Sequence, residues 1–521
     1  MTSTTRFRRS HGTLSGPLSG RFSGRFSGVA ARRSQPSGQG ADTLVSDLQA
    51  ALSPDRVRTD TAQRRLLSRD ASVFEGGNAG PVCFPATTAE VQAVMRITAM
   101  HGRAVVARGA GTGLAGGAIP LKGSKSGAPV VLSLTHMNRI ISVDTDNRVA
   151  WVEPGVVNLD LTKHLRAYGF HFAPDPSSQQ VCTIGGNVAN NSGGPHCLAY
   201  GVTNAHIVAI DAVLPDGSLA HLGGLEAEPA GLDLRGVFVG SEGTMGVATR
   251  IAVRITPNPE AVRTLLLSFA RVTDAANTVS AVIAAGIVPA AMEVMDQRMT
   301  QAVENYVHAG YPTDAAAVLL AEVDGLAAGV DIDAAAIARI GQEQGATAVR
   351  LAADDTERAL LWKGRKTAFG AIAQIAPDYY LHDTVVPRAK LAEVLEKTYE
   401  IADRYGVIIL NVLHAGDGNL HPLIVFDARE PGMLDRVHAA GAEIINASLA
   451  AGGVLSGEHG IGVEKQGYMD RMFTNDDLDH QNRLRRSFDP TCRSNPGKIL
   501  PGTHSCADIQ SLPKPAPGVW G

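Results

Sequence analysis

The chain has 521 residues, 44% of them hydrophobic and 19% charged, with a formal net charge of -4. Such a chain holds two or three domains with ample core, offers no basic surface for nucleic acid, and contains no apolar run near the roughly 18 residues of a membrane span. Its five cysteines (Cys83, Cys182, Cys197, Cys492, Cys506) include no C-x-x-C pair, which argues against a disulfide framework, a zinc knuckle or a cysteine-bound iron–sulfur cluster and for a reducing compartment.

In chain order, residues 1–40 carry seven arginines, no acid and a crude repeat, LSGPLSGRFSGRFSG. Gly and Pro recur too often there for an amphipathic helix, so a disordered basic tail is expected, with mitochondrial targeting as the alternative. TLVSDLQAAL predicts a short helix. TTAEVQAVMRITAMHG predicts a second, starting at Thr87 or Thr88 and stopped by Gly102. RAVVARGAGTGLAGG then reads as a strand entering a glycine-rich loop. As far as Pro257, β-rich runs (PVVLSL, RVAWVEPG, IVAIDAVLPDG, ATRIAVRITP) alternate with glycine loops, and VNLDLTKHLRAYG supplies one helix. From about Glu260 to Glu430 helices alternate with apolar strands such as AAAVLLAEVDG and GVIILNVL. A long helix from Met433 to Ala451, the stretch GGVLSGEHGIG, a further helical segment and an extended SNPGKILPG complete the pattern. The expected units are therefore 1–40, 41–257, an α+β domain at 258–430, a C-terminal helical segment at 431–510 and a tail at 511–521.

Four glycine-rich loops fall between residues 111 and 246. GTGLAG, Gly111 to Gly116, formally matches G-x-G-x-x-G, but GAIPLKGSKSGAP follows it instead of a helix, so a Rossmann reading fails. Bare backbone approaching a phosphate explains it better. PDPSS (174–178), TIGGNVANNSGG (183–194) and VGSEGTMG (239–246) have the same character. Any one of them alone is equally well a strand connection; four together favour a long cofactor.

NVLHAGDGNLHPLIVF, 411–426, reads as strand, tight turn, strand, which sets His414 and His421 at the same end of a hairpin. LSGEHGIG adds Glu458 and His459. Two imidazoles and one carboxylate make a divalent-metal site with open positions; satisfied structural histidines and an exposed loop pair are the plain alternative. LLWKGRKTAFGAI reads as a helix with Trp362, Arg365 and Phe369 on one face. Arg365 there is either a bidentate carboxylate clamp or an amphipathic residue with a solvated head. Lys363 and Lys366 fall on other faces.

RGAGTGLAGG, PDPSS, TIGGNVANNSGG and GSEGTMG, in this order, resemble the FAD-binding domain of vanillyl-alcohol-oxidase-type flavoproteins. With HAGDGNLHP and SGEHGIG, the resemblance is to the FAD-linked subunit of bacterial glycolate oxidase and its D-lactate and D-2-hydroxyglutarate dehydrogenase relatives, from about Asp42 to about Cys506. It implies an α+β fold: a two-part FAD-binding domain at 41–257, a substrate domain, and a C-terminal segment completing the active site. By resemblance Gly109, Ala110, Gly111, Thr112, Gly113 and Leu114 wrap the FAD pyrophosphate. Arg108, Pro174, Gly185, Gly186, Asn190, Gly193, Glu242, Gly246 and Asn495 complete the cofactor site. Some relatives carry a flavin-linking histidine where Thr112 stands, so non-covalent FAD is expected. His414, His421 and Glu458 match the metal ligands, His459 the catalytic base and Arg365 the carboxylate-binding arginine.

The implied reaction is oxidation of a small 2-hydroxy acid, glycolate or D-lactate, to the 2-oxo acid. A divalent ion, zinc or manganese, would acidify the hydroxyl, His459 would take its proton, and the hydride would pass to FAD. Electrons would leave to a separate acceptor: iron–sulfur and flavin subunits, a quinone or a cytochrome. A cytoplasmic hetero-complex or homodimer is expected, with the inner-membrane surface or the mitochondrial matrix as other locations. D-2-hydroxyglutarate is the alternative substrate. An electron-relay flavoprotein subunit and a metallohydrolase are the rival classes; the first leaves the His/Glu cluster unexplained, the second the glycine loops.

Overall fold

The computed structural model describes residues 43–121, 127–225 and 231–502. The expected tails at 1–40 and 511–521 lie outside the described residues. Helix Leu44–Leu52 and helix Thr88–Met100 form as anticipated. The second is capped where Thr87 accepts from the Glu90 N–H, and Gly102 follows its end at φ +61°. Both pack on a four-stranded sheet whose strands Val82–Cys83, Val130–Ser133 and Val105–Arg108 run parallel. A second, antiparallel sheet is ordered Ile140–Asp144, Val149–Val152, Val247–Arg254, Ile207–Val213, Leu219–Gly223.

Residues 261–426 build one antiparallel eight-stranded sheet, in which Ala291–Asp296 lies between Ala317–Gly325 and the hairpin Ile408–His414/Asn419–Phe426. Side chains alternate across it, as a strand requires. Leu265, Leu267 and Leu413 enter one core with helices Val272–Ala284 and Ala327–Glu343, whereas Leu266, Val412 and Leu423 enter another with Gln297–Val307 and Asp355–Lys366. Both faces are covered, which is why these strands read as nearly unbroken apolar runs. The long C-terminal helix spans Met433–Ala450. Farther on, the chain returns to the first sheet, where Val105 N–H donates to Arg493 O (2.8 Å) and Asn495 N–H to Val105 O (2.7 Å).

Two elements differ from expectation. TIGGNVANNSGG is not loop throughout: Ile184–Asn190 is a helix, capped by Thr183 Oγ1 accepting from Gly186 N–H and ended by Asn191 in the left-handed region at φ 52°. The helix carrying Arg365 ends at Lys366, so Phe369 lies on a separate turn, Ala368–Ala371, and shares no continuous face with Trp362. Thr367 makes the break, its hydroxyl donating back to Lys363 O at 2.9 Å.

Candidate active site

The hairpin register pairs Val412 with His421 and His414 with Asn419. His421 therefore stands diagonal to His414 on one face, with ring centroids 5.1 Å apart. Glu458 Oε1 lies 3.3 Å from His414 Nε2 and 3.2 Å from His421 Nε2. His459 stacks on His421 at 5.2 Å and 15°, its Nε2 3.7 Å from the same Glu458 oxygen. Four side chains from two distant segments thus form one cluster.

Buried Asp383 holds the second segment in place. Its carboxylate accepts from Ser456 Oγ (2.6 Å), Lys465 Nζ (3.1 Å) and the backbone N–H groups of Gly457, Glu458 and His459. Burial opposes its charge, but Lys465, then His459 and His421, and the Ser456 hydroxyl hold its pKa well below the usual carboxylate range. Glu242, also buried, accepts from Ile461 N–H at 2.7 Å and Gly462 N–H at 2.9 Å, tying this loop to the glycine-rich first half.

A metal fits the donor set. Both ring nitrogens of His421 and Oε2 of Glu458 are buried without a hydrogen-bond partner, and a bound ion would satisfy groups of this kind. The ligating atoms of His414, His421 and Glu458 lie within 4.8 Å of one another. Asp383, His421 and His459 meet the same distance, but Asp383 is already saturated by N–H donors and Lys465. Burial disfavours charge on His414, yet Glu293 and Glu458 raise its pKa to about 10, while Glu458 is held well below its ordinary value despite burial because His414 and His421 face it. Burial dominates at His459 and lowers its pKa to about 4, leaving a neutral ring.

A cavity of about 420 Å³ leads from the glycine loops to this cluster. Its wall includes Arg108 through Leu114, Gly185, Gly186, Asn190, Glu242 and Gly246 from the first half of the chain, and Lys366, Phe369, Tyr379, Glu458 and His459 from the second. Close approach explains the glycines: a Cβ on Gly109 would lie 2.4 Å from Thr183 Oγ1, and Gly111 sits at φ +77° against the Arg108 guanidinium. Pro174, Gly193 and Asn495 are off the wall and support it. Pro174 O accepts from Asn158 Nδ2 at 2.9 Å, and a Cβ on Gly193 would lie 3.0 Å from Glu458 Oε2. Asn495 Nδ2 donates to Gly117 O (2.8 Å) and Glu242 O (2.6 Å).

Arg365 sits elsewhere than a clamp would. It is 1% exposed behind His414, its Nη2 2.5 Å from Glu293 Oε2 and 3.4 Å from His414 Nδ1. Lys366, one residue on, reaches the wall and pairs with Asp175 Oδ2 at 3.2 Å. Glu293, Asp383 and Lys366 are the residues that sequence reasoning missed or set aside. The one signal for Glu293 was an acid inside the apolar run AAMEVM.

Residues 80–223 match the family described as FAD binding domain, and 258–499 the family described as FAD linked oxidases, C-terminal domain. The chain is 42% identical over 431 residues to glycolate oxidase subunit GlcD of Escherichia coli (strain K12), spanning 83% of this chain and 85% of that one. Identity is 38% to the GlcD subunit of Bacillus subtilis (strain 168), over 86% and 94% of the two chains. It is 31% to a D-lactate dehydrogenase of Anaerostipes hadrus, over 86% and 95%. Among solved structures, p-cresol methylhydroxylase superposes with a TM-score of 0.74 at 16% identity, covering 89% of this chain and 98% of that one. 4-Ethylphenol oxidase from Gulosibacter chungangensis gives 0.72 at 19%, covering 90% and 99%. At such identities the likeness is one of fold.

Proposed function

From the premise that the chain belongs to the FAD-linked oxidase family of glycolate oxidase subunits and D-lactate dehydrogenases, on a vanillyl-alcohol-oxidase-type fold, we propose that it oxidises glycolate or D-lactate with a metal ion and His459 acting together. The chain is an FAD-linked 2-hydroxy-acid oxidoreductase. When bound, FAD supplies the two-electron acceptor, and a zinc or manganese ion held by His414, His421 and Glu458 supplies Lewis acidity toward the substrate hydroxyl.

The chain's own residues do the rest. The hydroxyl proton goes to His459 Nε2, on the Glu458 side of the ring, while Asp383 Oδ2 stands 4.0 Å from Nδ1 and stabilises the charge that develops. Lys366 would supply the cation for the substrate carboxylate, and Phe369 and Tyr379 on the same cavity wall would exclude water. The observation that supports the reading is the His421–His459 stack beside His414 and Glu458, with Glu458 and His459 on the wall of the cavity that the glycine loops also line. Among the described residues Arg108 and Lys366 are the arginine and lysine on its wall, and Arg108 belongs to the first glycine loop. A single lysine on that wall favours a monocarboxylate over D-2-hydroxyglutarate. FAD binding is non-covalent, with Thr112 at the loop. Electrons leave to a separate acceptor, an iron–sulfur/flavin partner, quinone or cytochrome, from a cytoplasmic hetero-complex or homodimer. Among the described residues no helix is long and apolar enough to cross a membrane.

Anaerobic flavin bleaching tests this with glycolate, D-lactate, L-lactate and D-2-hydroxyglutarate, before and after chelation. The expected outcome is bleaching by glycolate or D-lactate that chelation abolishes and zinc or manganese restores. Undiminished bleaching after verified metal removal defeats the metal-assisted reading.

A further inference from the structure

The reaction above gives no role to the buried carboxylate of Glu293, which touches a proposed metal ligand. Glu293 lies in Ala291–Asp296, a strand with every residue buried, and its side chain is 0% exposed. An acid in such a strand is strongly disfavoured unless something requires it. Its partner in the antiparallel register is His414. Oε1 and Oε2 lie 2.8 and 3.0 Å from His414 Nδ1, and Oε2 is also 2.5 Å from Arg365 Nη2. On the opposite edge of the same ring, Nε2 faces Glu458 Oε1 at 3.3 Å.

We propose that Glu293, with Arg365 as its buried counter-ion, is the positioning residue of the metal site: it keeps a proton on His414 Nδ1 so that Nε2 presents its lone pair to the ion. A carboxylate accepts hydrogen bonds and cannot donate them, so the nitrogen it contacts carries the hydrogen. Nε2 also faces a carboxylate and shares its proton with Glu458 in the metal-free ring; a bound ion would replace that proton, leaving the Nε2 lone pair to the ion while Nδ1–H stays on Glu293. His421 has no such guide, since neither of its ring nitrogens has a hydrogen-bond partner. The orientation of the ligand set is therefore imposed from the His414 side. Arg365 neutralises the carboxylate, which explains why so long a cation is fully buried behind the site.

The inference rests on the metal-assisted reading, and one titration separates the two. Full-length, FAD-loaded protein, unsubstituted or carrying Glu293→Gln, is titrated with zinc and with manganese against a competing chelator. FAD content and the melting temperature of the chelated protein are recorded alongside. The expected result is metal binding weakened about 10–100-fold in the variant, with FAD content and metal-free melting close to those of the unsubstituted protein. Equal metal affinity in the two proteins overturns the inference and leaves the metal-assisted reading standing. Lower melting temperature and FAD content with unchanged metal affinity mean a structural role only, and also overturn it. Failure of the unsubstituted protein to bind either ion defeats both. Should Glu293→Gln not retain FAD, Glu293→Gln/Arg365→Met, which removes both buried charges together, decides by the same titration.

Discussion

His459 and Lys366 both line the cavity, and the proposed reaction gives them different work, so their substitutions separate cleanly. His459 stacks on His421 and approaches Glu458 without being needed for the three-donor set. Its replacement by Ala is expected to slow anaerobic flavin reduction by about 10²–10⁴-fold while bound metal and FAD stay near stoichiometric; a variant of full rate removes it as the base. Lys366→Met is expected to raise KM for the 2-hydroxy acid roughly tenfold or more, because a charged hydrogen bond of about 1.5–3 kcal/mol is lost, with kcat changed less. Metal content in Lys366→Met stays intact, in contrast to the loss expected at Glu293. At this scale the cluster of His414, His421, Glu458 and His459 was legible in sequence because two histidines around a glycine turn and a Glu-His pair between glycines stand out. Glu293 and Asp383 were not, because their role depends on a cross-strand partner and on a loop remote in sequence: Glu293 meets His414 only through register, and Asp383 meets Gly457 only through the fold.

The hairpin and the glycine loops show what periodicity and turn residues convey about an element, and where they stop. HAGDGNLHP was readable as strand–turn–strand because apolar runs flank a Gly-Asp-Gly turn, and the structure places the turn at Ala415–Gly418 with Gly418 at φ +77°. The helix Ile184–Asn190 was not readable, since glycine and asparagine are poor helix formers. It is held instead by tertiary partners: Gly185 N–H donates to Pro154 O at 2.7 Å, and Asn187 Oδ1 accepts from Asn158 Nδ2 at 3.1 Å. The Thr183 cap of that helix is also what Gly109 abuts. Gly109→Ala sets a methyl 2.4 Å from Thr183 Oγ1, so either the cap or the pyrophosphate-side loop must shift. The expected consequence is loss of most bound FAD on gel filtration, read as flavin absorbance per protein, with the eight-stranded sheet and the His414–His421–Glu458 cluster unaffected. A variant that keeps its FAD through gel filtration shows that the two loops are not packed this tightly.

Across the whole molecule, a partly buried polar network joins the glycine-loop half to the eight-stranded sheet, touching the cavity wall at Lys366. His196 Nδ1 lies 2.9 Å from Asp175 Oδ2, and its Nε2 lies 3.3 Å from Glu322 Oε1. Glu322 also accepts from Trp362 Nε1 (2.5 Å) and Thr264 Oγ1 (2.5 Å), and Asp175 pairs with Lys366. Burial disfavours charge on His196, but Asp175 and then Glu322 overcome it and raise its pKa from 6.5 to about 10. A folded-state pKa above the unfolded one means the imidazolium contributes stability that is fully present below about pH 6.5 and is lost as pH rises through about 10. Lys498, buried and lowered to about 8, works in the opposite direction over part of that range. It is present in both proteins of a comparison and cancels from their difference. His196→Gln removes the cation and leaves Asp175 and Glu322 facing each other's charge, a cost of about 3 kcal/mol for a broken buried pair. The melting temperature of the FAD-loaded variant should therefore fall furthest below the unsubstituted protein near pH 6, and the gap should close steadily toward pH 10. A gap that is constant with pH means His196 is neutral in the folded protein, and then the two halves are joined by hydrogen bonds without a charge between them.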